Sequence, residues 1–238
     1  EADLAVFLAA AAVPVLVPLC AADGRRHLAH RGLLISAFPW SAGEHRSAAA
    51  VATADAAAVG DALARLHLAG RQWPGERRAG IYTWPQVHER ARRIAAANDP
   101  ALAHPLQVLS EEMAWIDRHE AQRARPAPTV IHGDLFRDNV MFARDEAAPL
   151  VLLDFEQASW GSPVYDLAVA LNDWCWADGP RRDLAAALLG GYRRRCPPED
   201  GDAAALAIEL RAAAVRFTIT RITDVYLASV PNPDKDFR

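Results

Sequence analysis

Lysine is almost missing from this chain: of its 26 basic residues only Lys235 is a lysine, and arginine supplies the rest. Cysteine is scarce too. Cys20, Cys175 and Cys196 are odd in number and show no C-x-x-C spacing. That excludes a disulfide framework or a cysteine zinc site and fits free thiols in a reducing, cytoplasmic compartment. There is no long basic run and the net charge is −4, which argues against nucleic acid or an anionic membrane as partner. The apolar stretch from Leu4 to Leu19 has no positive leader, is rich in alanine and is broken by Pro14 and Pro18. It therefore reads as neither a signal peptide nor a membrane span. No internal repeat or low-complexity linker is evident. What remains is a chain of 238 residues, 52% hydrophobic and 24% charged, long enough to bury a core as one domain of two lobes or as two small domains.

Taken in order, the chain reads first as a small antiparallel sheet and then as helices. Asp3 is placed to cap a short helix to about Ala12, followed by a strand over residues 15–19. Asp23-Gly24 is a two-residue hairpin signal, and Arg31-Gly32 turns the chain into a central-looking strand over residues 33–38. Pro39 to Gly43 reads as an irregular connector. Helices are expected over residues 48–68, 84–97, 102–122, 164–176, 183–195 and 202–227, with a loop carrying Trp73, Tyr82 and Trp84 and a Pro126/Pro128 break ahead of the next segment. His67, near the end of the first long helix, reads as a capping or core residue. The corresponding units are residues 1–38, a link at 39–47, and a helical body at 48–238.

The chemistry concentrates in Val130-Ile-His-Gly-Asp-Leu-Phe-Arg-Asp-Asn-Val-Met-Phe142 and in Leu150-Val-Leu-Leu-Asp-Phe155. Short apolar runs at 129–131, 140–142 and 150–153 read as strands. They deliver Asp134, Asn139 and Asp154 to one edge, an all-oxygen set suited to Mg²⁺ beside phosphate. Asp and Asn often do no more than satisfy loop backbone. Here, however, the spacing His132-x-Asp134-x-x-x-x-Asn139 matches the H-x-D-x-x-x-x-N loop of the protein-kinase-like phosphotransferases, and Asp154-Phe155 resembles the start of a D-F-G metal loop. Asp134 would accept the proton of a substrate hydroxyl, while Asn139 and Asp154 would hold the metal of the triphosphate. Asp166 falls on an apolar helix, where an unpaired carboxylate is costly. It is expected to accept hydrogen bonds from the backbone of the catalytic loop, with His132 as further structural support.

With Tyr165-Asp-Leu-Ala168 added, these motifs resemble the aminoglycoside phosphotransferase and choline kinase superfamily. The phrases at 1–8, Leu66-His-Leu-Ala-Gly70, Asp166 to Cys175 and Lys235-Asp-Phe-Arg238 resemble the ThrB-type homoserine kinases within it. The resemblance implies an α+β, protein-kinase-like two-lobed fold with a small antiparallel N-lobe and a mainly helical C-lobe. It also implies ATP and Mg²⁺ as cofactors, a small-molecule hydroxyl as acceptor, and Ser36, Ala37 and Phe38 as backbone partners for adenine. The glycine-rich hairpin and strand lysine that hold phosphate in the family have no counterpart here, so the N-lobe is expected to be incomplete. A monomer or homodimer is expected.

Charge guides the choice of acceptor. Homoserine is a zwitterion and needs a fixed cation, for which Arg137 or Arg221 is available, and a fixed anion, for which Asp173 or Asp224 is available. Trp174 stands on the same side. A choline-like amine would want an aromatic cage, and an aminoglycoside an acidic rim that is thinly supplied here. A kinase for those acceptors, or a non-catalytic ligand binder, stays open as an alternative to a homoserine kinase.

Overall fold

The computed structural model describes residues 1–123, 127–143 and 150–228. Lys235, the Lys235–Arg238 stretch and Pro126 lie outside the described residues.

The chain opens with α1 (Ala2–Ala10), which buries Leu4, Ala5 and Leu8. Its N-cap is Glu1 and not Asp3, which sits in the first turn, where its charge complements the helix dipole. The expected strand at 15–19 is reduced to one parallel bridge between Val15 and Leu152. Pro14 and Pro18 supply no N–H for a ladder, and the Pro14 carbonyl instead accepts from Leu152 N at 2.7 Å. The hairpin forms at Arg31-Gly32, one turn later than Asp23-Gly24. β1 (Leu28–His30) and β2 (Leu33–Ile35) pair antiparallel across it, and both turn residues have positive φ, +49° and +80°, as a type I′ turn requires. At Asp23-Gly24 the chain closes only a local turn, with Ala21 N donating to Arg25 O. β2 is not central, because no third strand joins it and Leu33, Leu34 and Ile35 are all exposed.

Beyond it the expected connector contains a two-residue strand. β3 (Gly43–Glu44) pairs antiparallel with a later strand, and a turn of 3-10 helix (Ala48–Ala50) leads into α2 (Thr53–Gly70). α3 (Trp84–Ala96), α4 (Ala103–Asp117) and the short α5 (Glu120–Arg123) follow. The catalytic segment then comprises β4 (Thr129–Ile131), a 3-10 turn (Arg137–Asn139), β5 (Val140–Ala143), β6 (Val151–Leu152) and β7 (Ser159–Gly161). α6 (Pro163–Trp174), α7 (Arg182–Arg193) and α8 (Asp202–Arg221) complete the helices, and α8 runs on as a π-helical turn (Ile222–Tyr226). β3, β5 and β6 form one antiparallel sheet, while β4 pairs with β7 in a second.

One core joins α1, α2, α6 and α7 to the undersides of β4, β5 and β6, with Leu8, Leu63, Leu66, Leu135, Leu152 and Trp174 fully enclosed. A second gathers α3, α4 and α8 around Ile94, Ile116 and Ile219. Helices α2 and α7 meet backbone to backbone. A Cβ added at Gly60 would stand 2.1 Å from the Leu188 carbonyl oxygen, and one at Gly191 2.1 Å from that of Ala57. No described helix is long and apolar enough to cross a membrane.

Because the obstacle at Gly60 is main chain, Gly60→Ala should force the helices apart. The expected loss is about 2–3 kcal/mol, or roughly 5–10 °C in melting temperature by calorimetry, despite alanine's better helix propensity. An unchanged Tm would show that the two helices separate freely.

Candidate active site

Two strand pairs fix the site. β4 ends at Ile131, and the chain passes through His132 and Gly133 to Asp134. β5 and β6 pair with Val140 opposite Leu152, and one step further Leu153 N donates to the Asn139 carbonyl at 2.9 Å. Asn139 and Asp154 therefore leave the same end of one ladder. The Asn139 amide also donates Nδ2–H to the Asp134 carbonyl at 2.8 Å, which closes the loop between the first and second of the three residues. Asp154 takes a φ of +56°, a left-handed conformation that aspartate tolerates better than most residues. Its Oδ1 accepts from Glu156 N at 3.3 Å.

Beneath the loop lies Asp166, with no exposed surface. Its Oδ2 accepts from His132 N at 2.7 Å and from His67 Nε2 at 3.0 Å, and its Oδ1 accepts from Gly133 N at 2.8 Å. Burial pushes its pKa up, but the hydrogen bond and charge of His67, with His132 and the Gly133 amide, outweigh burial and hold the carboxyl below the usual range. His67 passes the chain on, its Nδ1 lying 2.7 Å from the Tyr192 hydroxyl. His132 is buried as well, and its Nε2–H donates to the Leu153 carbonyl at 2.8 Å, tying the Asp134 loop to the Asp154 strand. Gly133 takes φ +80°, a left-handed conformation that glycine adopts at no steric cost and that redirects the chain into Asp134.

Asp134 itself touches two residues that sequence reasoning did not single out. Gln157 Nε2 donates to its Oδ2 at 2.9 Å, and Arg216 Nη1 stands 3.5 Å from its Oδ1. Arg216 Nη2 donates in turn to Gln157 Oε1. Burial raises the Asp134 pKa above the ordinary aspartate value, against the opposing charges of Arg216 and His132. The available signal for Arg216 was its position in α8, an arginine among the buried Ala212, Ala213, Val215 and Ile219. A cavity of about 200 Å³ adjoins it, lined by Gly133, Gln157 and Arg216 together with Tyr82, Tyr165 and Glu209. A second cavity of about 330 Å³ is lined by Asp154 with Leu16, Pro18, Ser36, Phe38, Leu153 and Phe155. Within the 36–38 segment the Ala37 carbonyl accepts from Leu19 N at 2.8 Å, and Ser36 Oγ donates to the Arg26 carbonyl at 3.2 Å.

The residues expected to face the acceptor have partners of their own. Arg137 and Asp173 pair with each other, through Arg137 N to Oδ2 at 2.8 Å and the guanidinium Nε to Oδ2 at 3.2 Å, which pins the 3-10 turn to the end of α6. Trp174 is fully enclosed. Its indole N–H donates to the Leu135 carbonyl at 3.0 Å, so it supports the loop from below and cannot contact a substrate. Arg221 lies over the Phe136 ring at 5.9 Å, and Asp224 pairs with Arg90. Neither these five nor Asp134 itself lines the cavity against Gly133, Gln157 and Arg216, the last two of which contact Asp134.

Solved structures place the architecture among the protein-kinase-like phosphotransferases. An amicoumacin kinase in complex with AMP-PNP and Ca²⁺ matches with a TM-score of 0.75 at 15% identity, over 98% of this chain and 72% of its own. A microcompartment-associated aminopropanol kinase matches with a TM-score of 0.66 at 18% identity, over 96% of this chain and 82% of its own. The chain belongs to the APH phosphotransferase enzyme family, whose model matches residues 1–198. A homoserine kinase of Methylobacterium radiotolerans is 41% identical over 170 residues, 70% of this chain and 51% of its own length. One from Nitrobacter winogradskyi is 39% identical over 177 residues, 72% of this chain and 52% of its own length. The chain thus spans about half the length of these curated relatives.

Asp166→Ala would leave two backbone amides and His67 without their shared acceptor in a buried site. The expected cost is about 3–5 kcal/mol, roughly 10 °C in melting temperature or more. A loss within 2 °C in a thermal melt would remove Asp166 from the role of loop support. Asp134 should behave in the opposite sense. Its folded pKa lies above its unfolded value, so the folded state binds the proton more tightly and this group's contribution declines as pH rises through that window. Asp134→Asn is therefore expected to melt at the wild-type temperature or above at pH 7. A Tm well below wild type would contradict that sign.

Proposed function

We propose that the protein transfers the γ-phosphoryl group of ATP to the hydroxyl of L-homoserine. The observation that supports this most directly is the convergence of Asp134, Asn139 and Asp154 on adjoining strand ends, with one cavity against Asp154 and another against Gln157 and Arg216. Homoserine as acceptor is favoured by the homoserine kinase relatives and by the size of the cavity lined by Gln157 and Arg216, the two partners of Asp134. Its volume of about 200 Å³ falls below the roughly 300–1,000 Å³ of sites for drug-sized ligands, and suits a small metabolite better than an aminoglycoside.

Asp134 is the proposed base. Its Oδ2 is held by Gln157 and its main-chain carbonyl by Asn139, so the carboxylate is positioned before a substrate arrives. The donor chemistry suits a hard divalent cation. Asn139 uses its amide N–H inside the loop, which assigns its oxygen to the metal, and Asp154 adds a carboxylate. Among the described residues no cluster of three or more His, Cys, Asp or Glu could hold a metal. A two-residue oxygen set fits Mg²⁺, which keeps waters and phosphate oxygens in most of its positions. When bound, Mg²⁺ would supply the positive charge that offsets the triphosphate. The cavity at Ser36 and Phe38 is proposed for adenine, with the 36–38 backbone beside the ring.

ADP release measured against L-homoserine, choline and kanamycin tests the reading. Turnover confined to choline or kanamycin would move the acceptor, and release with none would make the chain a binder. Asp134→Asn should lower kcat by at least about 10²–10⁴-fold while ATP still binds. Because Asp134 must be ionised to accept a proton, kcat/KM should fall on the acid side through a limb above the ordinary aspartate range. A limb at or below that range would exclude Asp134 as the base. Asp154→Gly removes the carboxylate and relieves the left-handed backbone. It should raise the Mg²⁺ concentration needed for half-maximal rate by about 10-fold or more without lowering the Tm, and an unchanged Mg²⁺ requirement would exclude Asp154 as a ligand.

A further inference from the structure

Arg216 is an unusual residue to find beside a catalytic carboxylate. It is 3% exposed, and its guanidinium lies over two rings, 4.1 Å from the centre of Tyr82 and 3.8 Å from that of Phe217. A buried guanidinium normally has its N–H groups satisfied by an acid. Here Nη1 has only the long 3.5 Å approach to Asp134, Nη2 donates to the neutral Gln157 amide, and Nε is buried with no hydrogen-bond partner among the described residues. Nε and Nη2 form one edge of the arginine fork, the edge that receives a carboxylate side-on through two parallel bonds. That edge holds one neutral acceptor where it could hold an anion, and Arg216 links Asp134 to the cavity that it lines with Gln157.

We propose that Arg216 is the anchor for the α-carboxylate of the acceptor. The incoming carboxylate displaces the Gln157 oxygen from Nη2 and fills the orphaned Nε, while Gln157 keeps its bond to Asp134. This rests on the amino-acid acceptor proposed above and sharpens it, because the acceptor must carry an anionic group within reach of the hydroxyl delivered to Asp134. It takes the place of Arg137, which pairs with Asp173 and does not line this cavity, although its Nη1 is likewise buried with no hydrogen-bond partner among the described residues. Tyr82, from the 71–83 loop, fixes the plane of the fork by stacking on it.

The test compares L-homoserine with 3-aminopropan-1-ol, which keeps the amine and hydroxyl and lacks the carboxylate. In the wild type the ratio of kcat/KM for the two should be large. In Arg216→Met the ratio should fall by about 100-fold, and the rise in melting temperature that L-homoserine gives without ATP should be lost. Arg216→Lys keeps the charge but not the fork and should fall between the two, and it decides the matter if Arg216→Met does not fold. Equal losses on both acceptors, with the homoserine-dependent Tm rise retained, would make Arg216 a brace for Asp134 only and overturn the proposal while leaving homoserine as acceptor. A wild type that uses 3-aminopropan-1-ol and not homoserine would overturn the acceptor reading and this inference together.

Discussion

A single buried charge organises this molecule. Asp166 accepts two successive backbone amides of the 132–133 turn and one imidazole, and none of its surface reaches solvent. An ion in that position is tolerated only when its hydrogen bonds are complete, so the conformation that completes them is strongly selected. That conformation is the left-handed turn at Gly133, and it sends Asp134 out of the end of β4. The hub reaches further than the loop, because His67 belongs to α2 and Tyr192 to α7. The same two helices pack glycine against backbone carbonyl at Gly60 and Gly191. Position of the base and packing of the helical body are therefore one constraint.

A second tie runs across the sheets. His132 donates to the Leu153 carbonyl, Leu153 donates to the Asn139 carbonyl, and Asn139 donates to the Asp134 carbonyl. These bonds form a ring through the three segments that carry the proposed base and metal ligands. Its members are mostly backbone groups, which explains how three residues on separate strand ends keep a common register. The cost is local: Asp154 is held in a backbone region that few side chains adopt.

Charged pairs do different work at different depths. Arg137–Asp173 and Arg123–Glu209 are largely withdrawn from solvent and tie the 137–139 turn to α6 and α5 to α8. The Arg216–Gln157–Asp134 triangle differs because one member is a neutral amide that can exchange partners more easily than a carboxylate. Gln157 lies three residues after Asp154, on the stretch that leads into β7, so the proposed metal loop and the proposed acceptor pocket share a segment.

Much of the catalytic segment was legible in the sequence, because its information is local. Apolar triplets next to a fixed H-x-D-x-x-x-x-N spacing specify strand, turn and strand within a dozen or so residues, and an aspartate on an apolar helix needs buried donors wherever they come from. The N-terminal strands were misread for an equally local reason: prolines deny the 15–19 stretch a ladder, and Arg31-Gly32 supplies the positive-φ pair that Asp23-Gly24 does not. Arg216 and Gln157 were not legible, since they sit 82 and 23 residues from Asp134, and only the packing of α8 against the catalytic loop makes them neighbours. Likewise Arg137, Asp173 and Trp174 carry the right chemistry for an acceptor, but the first two pair with each other and Trp174 is enclosed beneath the loop. The sequence alone determined which groups could do chemistry and the short segments that present them. The tertiary structure decided which of those groups face a cavity, because exposure and pairing depend on contacts between residues far apart in the chain.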